Sequence, residues 1–309
     1  MVVEYLFHYF TNFLTLLIEI APWMILGFVV AAFIEEFVST DRMSRYFGSN
    51  DLASLGRATF AGLFMSICSC GAIPLVVSIR RKGASTATAL TFLLAAPWAG
   101  LAHLFIMMGF VGPVNVIILF ILSMIVALGT GVCLSYLENH GKIEASLTEK
   151  EIIEVESCYA PHYQEPLPKR LFFCIPQRMW DLFKDVGKYL FFGLLIAALL
   201  AAFIPISVVQ LVFGWTGPLG IVSILIALPI AAVLELCAEG LTILAGQLYL
   251  MGASLGVIFT ITLVGVSTDF TELSMIWGKF GKKSAIAYLG ISTIFVVLLA
   301  FGLVMWWPF

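Results

Sequence analysis

The sequence has little charge. Of its 309 residues only 11% are Asp, Glu, Lys or Arg, while 61% are hydrophobic and the mean hydropathy is +1.05. A soluble domain carries about 25% charged residues and about 45–50% apolar ones. Too few charges are left here to coat a water-facing surface, and disorder, which needs high charge and low hydrophobicity, is excluded for the same reason. A Walker loop, a dinucleotide fingerprint and a nucleophile elbow are also missing, so nucleotide-driven pumping by this chain has no motif behind it. No cofactor and no nucleic-acid partner are expected. The natural solvent is a lipid bilayer.

What the sequence does contain is long runs free of Asp, Glu, Lys and Arg: 5–18, 58–79, 83–137, 189–234, 240–268 and 284–309. About 20 apolar residues in helix cross a bilayer, and lipid offers backbone groups no external partner, so helices are the default. The pattern predicts an all-α integral membrane protein of about eight transmembrane helices in two related halves. The expected spans are Phe13–Val38, Ala58–Ile79, Ala84–Gly109, Pro113–Leu137, Trp180–Ile204, Pro218–Leu248, Ser254–Trp277 and Ser284–Trp307. The first span holds Glu19, lacks a basic leader and is too long for a signal peptide, so it is expected to stay. Residues 1–137 form a first membrane repeat, 138–177 a polar linker with a short surface helix opened by the capping box Ser146-Leu-Thr-Glu149, and 178–309 a second membrane repeat. His140, Cys158 and His162 in the linker read as a solvated loop, because their spacing is loose for a metal site. With eight crossings, Arg80, Arg81, Lys82 and the seven basic residues of the linker and its flank face one side, and Arg42, Arg45, Arg57, Lys279, Lys282 and Lys283 the other. That is ten basic residues against six, which predicts a multi-pass protein of the cell membrane with a cytoplasmic linker.

The halves are visible as self-similarity. A shift of 169 superposes Cys68 on Cys237, Gly71 on Gly240, Leu75 on Leu244, Gly83-Ala84-Ser85 on Gly252-Ala253-Ser254, and Gly112 on Gly281; with Thr91, Leu94, Leu104 and Gly109 this makes eleven identities over residues 68–112. Upstream, a shift of 166 places Gly27 on Gly193 and Phe47-Gly48 on Phe213-Gly214. Tandem halves mark secondary transporters, whose substrate site lies at the repeat interface near mid-membrane. An even number of crossings per half gives parallel repeats, and an odd number or re-entrant segments give inverted ones. Pro218–Leu248 is too long for one straight span, and the Cys motifs carry helix-breaking residues.

Cys68-Ser69-Cys70-Gly71-Ala72-Ile73-Pro74 sits inside an apolar run. Residues i and i+2 of a helix point about 200° apart, so both thiols meet one ligand only where the helix opens; Gly71 and Pro74 are the expected break, with Pro97 and Gly240 elsewhere. Soft thiolates select thiophilic species such as Cu(I) or Zn(II). The bland alternative is a pair of small buried hydrophobes. The repeat favours chemistry, because Cys68 maps onto Cys237 and Cys70 onto Glu239, giving three thiols and a carboxylate at related positions. A carboxylate inside a membrane costs at least about 2.5–3.5 kcal/mol and calls for a function. Asp269 and Glu272 share one helical face and, with Glu19, are candidates for proton coupling or a pathway. His103, which maps onto Glu272, reads as an interface residue. Glu35 and Glu36 read as interfacial. Together with Glu235 and Glu239, these carboxylates number seven, and the expected spans hold no Lys or Arg beyond Lys184 and Lys188 at the start of the fifth.

At these residues the chain resembles the ArsP-like predicted permeases, a family with organoarsenical efflux permeases and members assigned to copper or zinc efflux. The resemblance rests on Glu19-Ile-Ala-Pro-Trp, Cys68-Ser-Cys-Gly-Ala-Ile-Pro-Leu75, Leu94-Ala-Ala-Pro97, Cys237-Ala-Glu-Gly240 and Gly265-Val-Ser-Thr-Asp-Phe-Thr-Glu272. It implies a multi-pass permease whose Cys motif handles a thiophilic substrate. Relatives often have a Pro soon after the second motif, where this chain has Leu241-Thr242-Ile243. The expectation is a secondary efflux permease, not an enzyme, for a soft metal ion or a trivalent organoarsenical. Cys68, Cys70, Cys237 and Glu239 hold the metal or arsenic as transported substrate, and ligation by thiolates releases protons. Its partners are the bilayer, the substrate and protons, and a homo-oligomer stays open. The alternatives are a membrane thiol oxidoreductase using Cys68 and Cys70, or a non-transporting subunit of a permease complex.

Overall fold

The structure is a computed structural model and describes residues 18, 22, 25–34, 36–38, 40–65, 69–99, 101–143, 174–184, 187–188, 224, 228, 238–250 and 253–306. These residues are helical almost throughout, with no strand among them, and the chain is an all-α membrane protein. The helices are α1 (Ile25–Ile34), α2 (Thr40–Phe47), α3 (Leu52–Met65), α4 (Ser69–Arg81), α5 (Thr86–Ala95), α6 (Leu101–Val111), α7 (Pro113–Asn139), α8 (175–184), α9 (Ala238–Leu250), α10 (Leu255–Ser267), α11 (Phe270–Lys279) and α12 (Lys282–Trp306). A 3₁₀ turn, Ala96–Ala99, joins α5 to α6. Two helices, α7 with 27 residues and α12 with 25, are each long and apolar enough to cross a membrane, and α10 with α11 makes a third span bent by 43°.

Local chemistry sets the boundaries. Ser85 (φ −66°, ψ 155°) caps α5 by accepting from Thr88 N–H, and Ser254 (φ −68°, ψ 155°) caps α10 by accepting from Val257 N–H. Such side chains satisfy donors that a helix start leaves open. Gly112 at φ +85° and Gly281 at φ +91° turn the chain into α7 and α12, a conformation that L side chains resist. Each of these pairs is separated by 169 residues. Asp51 accepts from Ser54 N–H at 3.3 Å ahead of α3, and the hydroxyls of Ser49 and Ser54 hold its carboxyl below the usual carboxylate range.

The helices pack in exchanged pairs. In the first half α5 lies against α3, α4 and α7; in the second, α10 lies against α9 and α12. Across the halves α4 packs on α11, α6 on α9 and α7 on α12. Lipid is as apolar as a leucine side chain, so helix association here depends on close packing and polar contacts. Small residues mark the crossings. A Cβ on Gly27 would overlap the carbonyl of Gly71, one on Gly131 the hydroxyl of Thr91, and one on Gly256 lies over the carbonyl of Ala300.

Two polar seams fix the ends. At the end where α7 stops, Glu138 accepts from Thr86 N–H (3.1 Å) and Ala87 N–H (2.9 Å), Asn50 donates to Asn139 (3.0 Å), Ser135 donates to the Asn50 carbonyl (2.6 Å), and Ser85 N–H donates to the Phe47 carbonyl (3.0 Å). Arg80 donates to the Lys279 carbonyl and stacks 4.3 Å from the Phe280 ring. At the end where α7 begins, Asn115 donates to Tyr249 Oη at 3.4 Å and Phe110 covers Gly246. A 27-residue helix is about 40 Å long, so these seams lie on opposite faces of the molecule.

This arrangement corrects the partition of charges expected from eight crossings. Arg80 and Lys279 meet at one face, beside the start of α3 and the end of α7, instead of lying on opposite sides. Arg80, Lys82 and Arg178 are buried, and Arg178 pairs with Glu36 at 2.8 Å with both side chains about as buried as the core.

Replacing Gly27 by Ala forces α1 away from α4 and is expected to cost about 1–3 kcal/mol, read as a lower unfolding temperature in detergent. Gly290→Ala, where an added Cβ meets nothing within 4 Å, is expected to be neutral or slightly stabilising. Glu138→Ala strands two buried N–H groups of α5 and is expected to lose about 1–3 kcal/mol in the same assay, with Glu138→Gln losing less.

Candidate functional site

The Cys motif enters α4. Cys70, Gly71 and Pro74 all lie within that helix. Pro74 has no N–H for the carbonyl four residues back, so helical bonding provides no donor to the Cys70 carbonyl. Gly71 is buried against Gly27 of α1, which lets the two backbones touch beside the motif. In the second half Glu239 and Gly240 lie in α9, described as helical backbone. Pro97 falls in the 3₁₀ turn between α5 and α6. Cys68, Cys237 and Glu19 lie outside the described residues. Among those residues no group of three or more His, Cys, Asp and Glu gathers as a metal-ligand set.

The carboxylates of the second half are placed by the bend between α10 and α11. Asp269 occupies the N-cap position of α11 without making the usual capping bond. Glu272, three residues on and 1% exposed, turns into the protein. Its Oε1 accepts from the Tyr288 hydroxyl of α12 at 2.6 Å. Its Oε2 and the hydroxyl of Ser267 are buried with no hydrogen-bond partner. Tyr288 is 0% exposed, and Asp269 is near enough for its charge to act on that hydroxyl. A carboxylate held this way has one oxygen fixed and one available to a proton or cation.

His103, the counterpart of Glu272 at a shift of 169, is equally buried. Its Nδ1 lies 2.5 Å from Thr242 Oγ1 of α9. The contact makes His103 a polar link between halves.

Sequence reasoning did not find Tyr288, Thr242, Glu138 or the Glu36–Arg178 pair. Tyr288 sits in a charge-free run 16 residues from Glu272, and Arg178 is 142 residues from Glu36. Local periodicity signals neither partner. The one usable hint was energetic, since a membrane carboxylate requires a donor nearby.

The family model described as a predicted permease, ArsP_1, matches residues 6–305. A Streptococcus mutans protein named "Putative two-component membrane permease complex subunit" is 26% identical over 291 residues, covering 93% of this chain and 91% of its own length. The UPF0718 protein YcgR of Bacillus subtilis is also 26% identical, over 93% of both chains. A UPF0718 protein of Methanocaldococcus jannaschii is 22% identical over 88% of both. No solved structure matches the chain. A membrane-embedded helical chain with carboxylates held inside it, matched over nearly its whole length, belongs to the ArsP-type predicted permease family.

Proposed function

We propose that this permease is a secondary transporter that exports a thiophilic species, a soft metal ion or a trivalent organoarsenical. Cys68, Cys70, Cys237 and Glu239 ligate the substrate, while Glu272, assisted by Asp269 and Glu19, carries protons in exchange. The observation that supports this reading most is the exchanged packing. The helix of Cys70 leans on the helix of Glu272, and the helix of Glu239 leans on the helix of His103. A ligand set divided between two halves, on helices that pack against helices carrying a titratable group of the other half, is a means of linking substrate release to proton uptake. The donor chemistry fits as well, because thiolates favour soft cations and trivalent arsenic over hard ions. The matching caps at Ser85 and Ser254 and the matching turns at Gly112 and Gly281 support two related halves, 1–137 and 178–309, joined by the linker. Arg42, Arg45, Arg80 and Lys279 share the face where the linker begins, so that face is cytoplasmic.

A second reading comes from the Streptococcus relative, whose name describes one subunit of a two-component complex. On that reading the chain forms the membrane path but moves substrate only with a second subunit. Purified chain alone in vesicles separates the two readings: substrate movement supports the first, and binding without movement the second.

Replacing Cys68, Cys70 and Cys237 together by Ser is expected to weaken binding of Zn(II) or a trivalent arsenical by at least about tenfold, measured by equilibrium titration of purified protein. Unchanged affinity rules out the thiol site. Glu272→Gln is expected to leave that affinity within about twofold while abolishing substrate-driven proton movement in a vesicle carrying a pH-sensitive dye; proton flux at the original rate removes Glu272 from the coupling path.

A further inference from the structure

Residues 52–81 begin and end at the same face. At the start of α3, Ser54 and Arg57 both donate to the Tyr46 carbonyl, at 3.1 and 3.0 Å. Just after α4, Ser85 N–H reaches the Phe47 carbonyl at 3.0 Å, and a Cβ on Gly48 would stand 3.0 Å from the Gly83 carbonyl. Entry and exit are therefore neighbours. The two helices between them have 14 and 13 residues, about 20 Å each at 1.5 Å per residue. The full crossing of α7 takes about 40 Å. Gly62 of α3 packs against Ala95 and Ala96, level with the 3₁₀ turn that interrupts the α5–α6 path, and Gly71 of α4 packs against Gly27. The inner ends of both helices thus lie at mid-depth.

The second half runs the other way. The outer end of α9, at Gly246 and Tyr249, meets Phe110 and Asn115 at the face where α7 begins. Gly256, at the start of α10, lies against Ala300 and Val304 near the end of α12. Meanwhile α11 ends at Lys279 beside Arg80, on the face where α7 stops. So α5 and α6 cross from the basic face outward, and α10 with α11 cross back toward it.

We propose that residues 52–81 form a re-entrant helical hairpin and that α9 is the returning arm of a second one, inserted from the opposite face. Each half then has three crossings and one hairpin, and an odd number of crossings inverts the second half relative to the first. The hairpins carry the starts of α4 and α9, at Ser69 and Ala238, to mid-membrane from opposite faces. On the ligand reading given above, this makes the site the meeting point of two hairpins, each open toward its own face, which is the geometry of alternating access. The topology itself does not rest on that reading.

Single cysteines test it. Arg45→Cys, Arg81→Cys, His140→Cys and Lys283→Cys mark one face, and Pro113→Cys and Leu250→Cys the other. Labelling by a membrane-impermeant maleimide is read in sealed vesicles of either orientation, above the level of the unsubstituted protein. The first four are expected to label from one side and the last two only from the other. Eight plain crossings put residues 45 and 81 on opposite sides and residues 45 and 113 on the same side; either result overturns the proposal. Ser44→Cys and Lys282→Cys replace a variant of the first face, and Val114→Cys one of the opposite face, that does not elute as folded protein. The labelling pattern is independent of substrate, so failure of the thiol site leaves it unchanged, and failure of the topology leaves the binding titration unchanged.

Discussion

The structure depends on the fact that lipid offers no hydrogen bonds. Every polar group inside the membrane must find its partner within the protein. Helices do this for their own backbone, but each place where a helix starts, bends or stops releases donors and acceptors. The described residues show how these are met. Ser85 and Ser254 cap α5 and α10. Glu138, arriving from the far end of α7, takes two more donors of α5. The polar seam at the basic face is thus the condition under which α5 can begin inside a packed membrane protein.

The same constraint governs the interior charges. Glu36 is tolerated because Arg178 reaches it, and Arg80 because it has the Lys279 carbonyl and the face of Phe280. Glu272 differs. Tyr288 satisfies one oxygen, and the other is buried without a partner. A buried acceptor left open costs about 1–3 kcal/mol, a cost that the proposed proton exchange would explain. His103, at the related position, is held by Thr242 from the other half.

Several elements were legible in the chain. Pro113–Leu137 and Ser284–Trp307 anticipate α7 and α12 to within two residues at either end. The largely apolar stretch from Ser254 to Trp277 is the bent pair α10–α11, whose bend falls where Thr268 and Asp269 interrupt the apolar pattern. Expected breaks at Gly71 and Pro74 instead lie inside α4, since a helix tolerates Pro where other contacts hold it. Ala58–Ile79 reads as one span by composition but contains parts of two helices that share a face. Hydropathy measures only how apolar a residue is, and both arms of a hairpin are as apolar as a crossing.

By itself, the sequence determined the solvent, the helical class, the starts of the helices and the types of side chain that a membrane would not hold without cause. These follow from residue chemistry and from contacts within a few positions along the chain. Tertiary structure decided which face each segment returns to, which helices exchange partners, and which donor meets each buried carboxylate. Those depend on pairs such as Arg80 with Lys279, 199 residues apart, whose meeting is set by the packing of whole helices and leaves no local pattern.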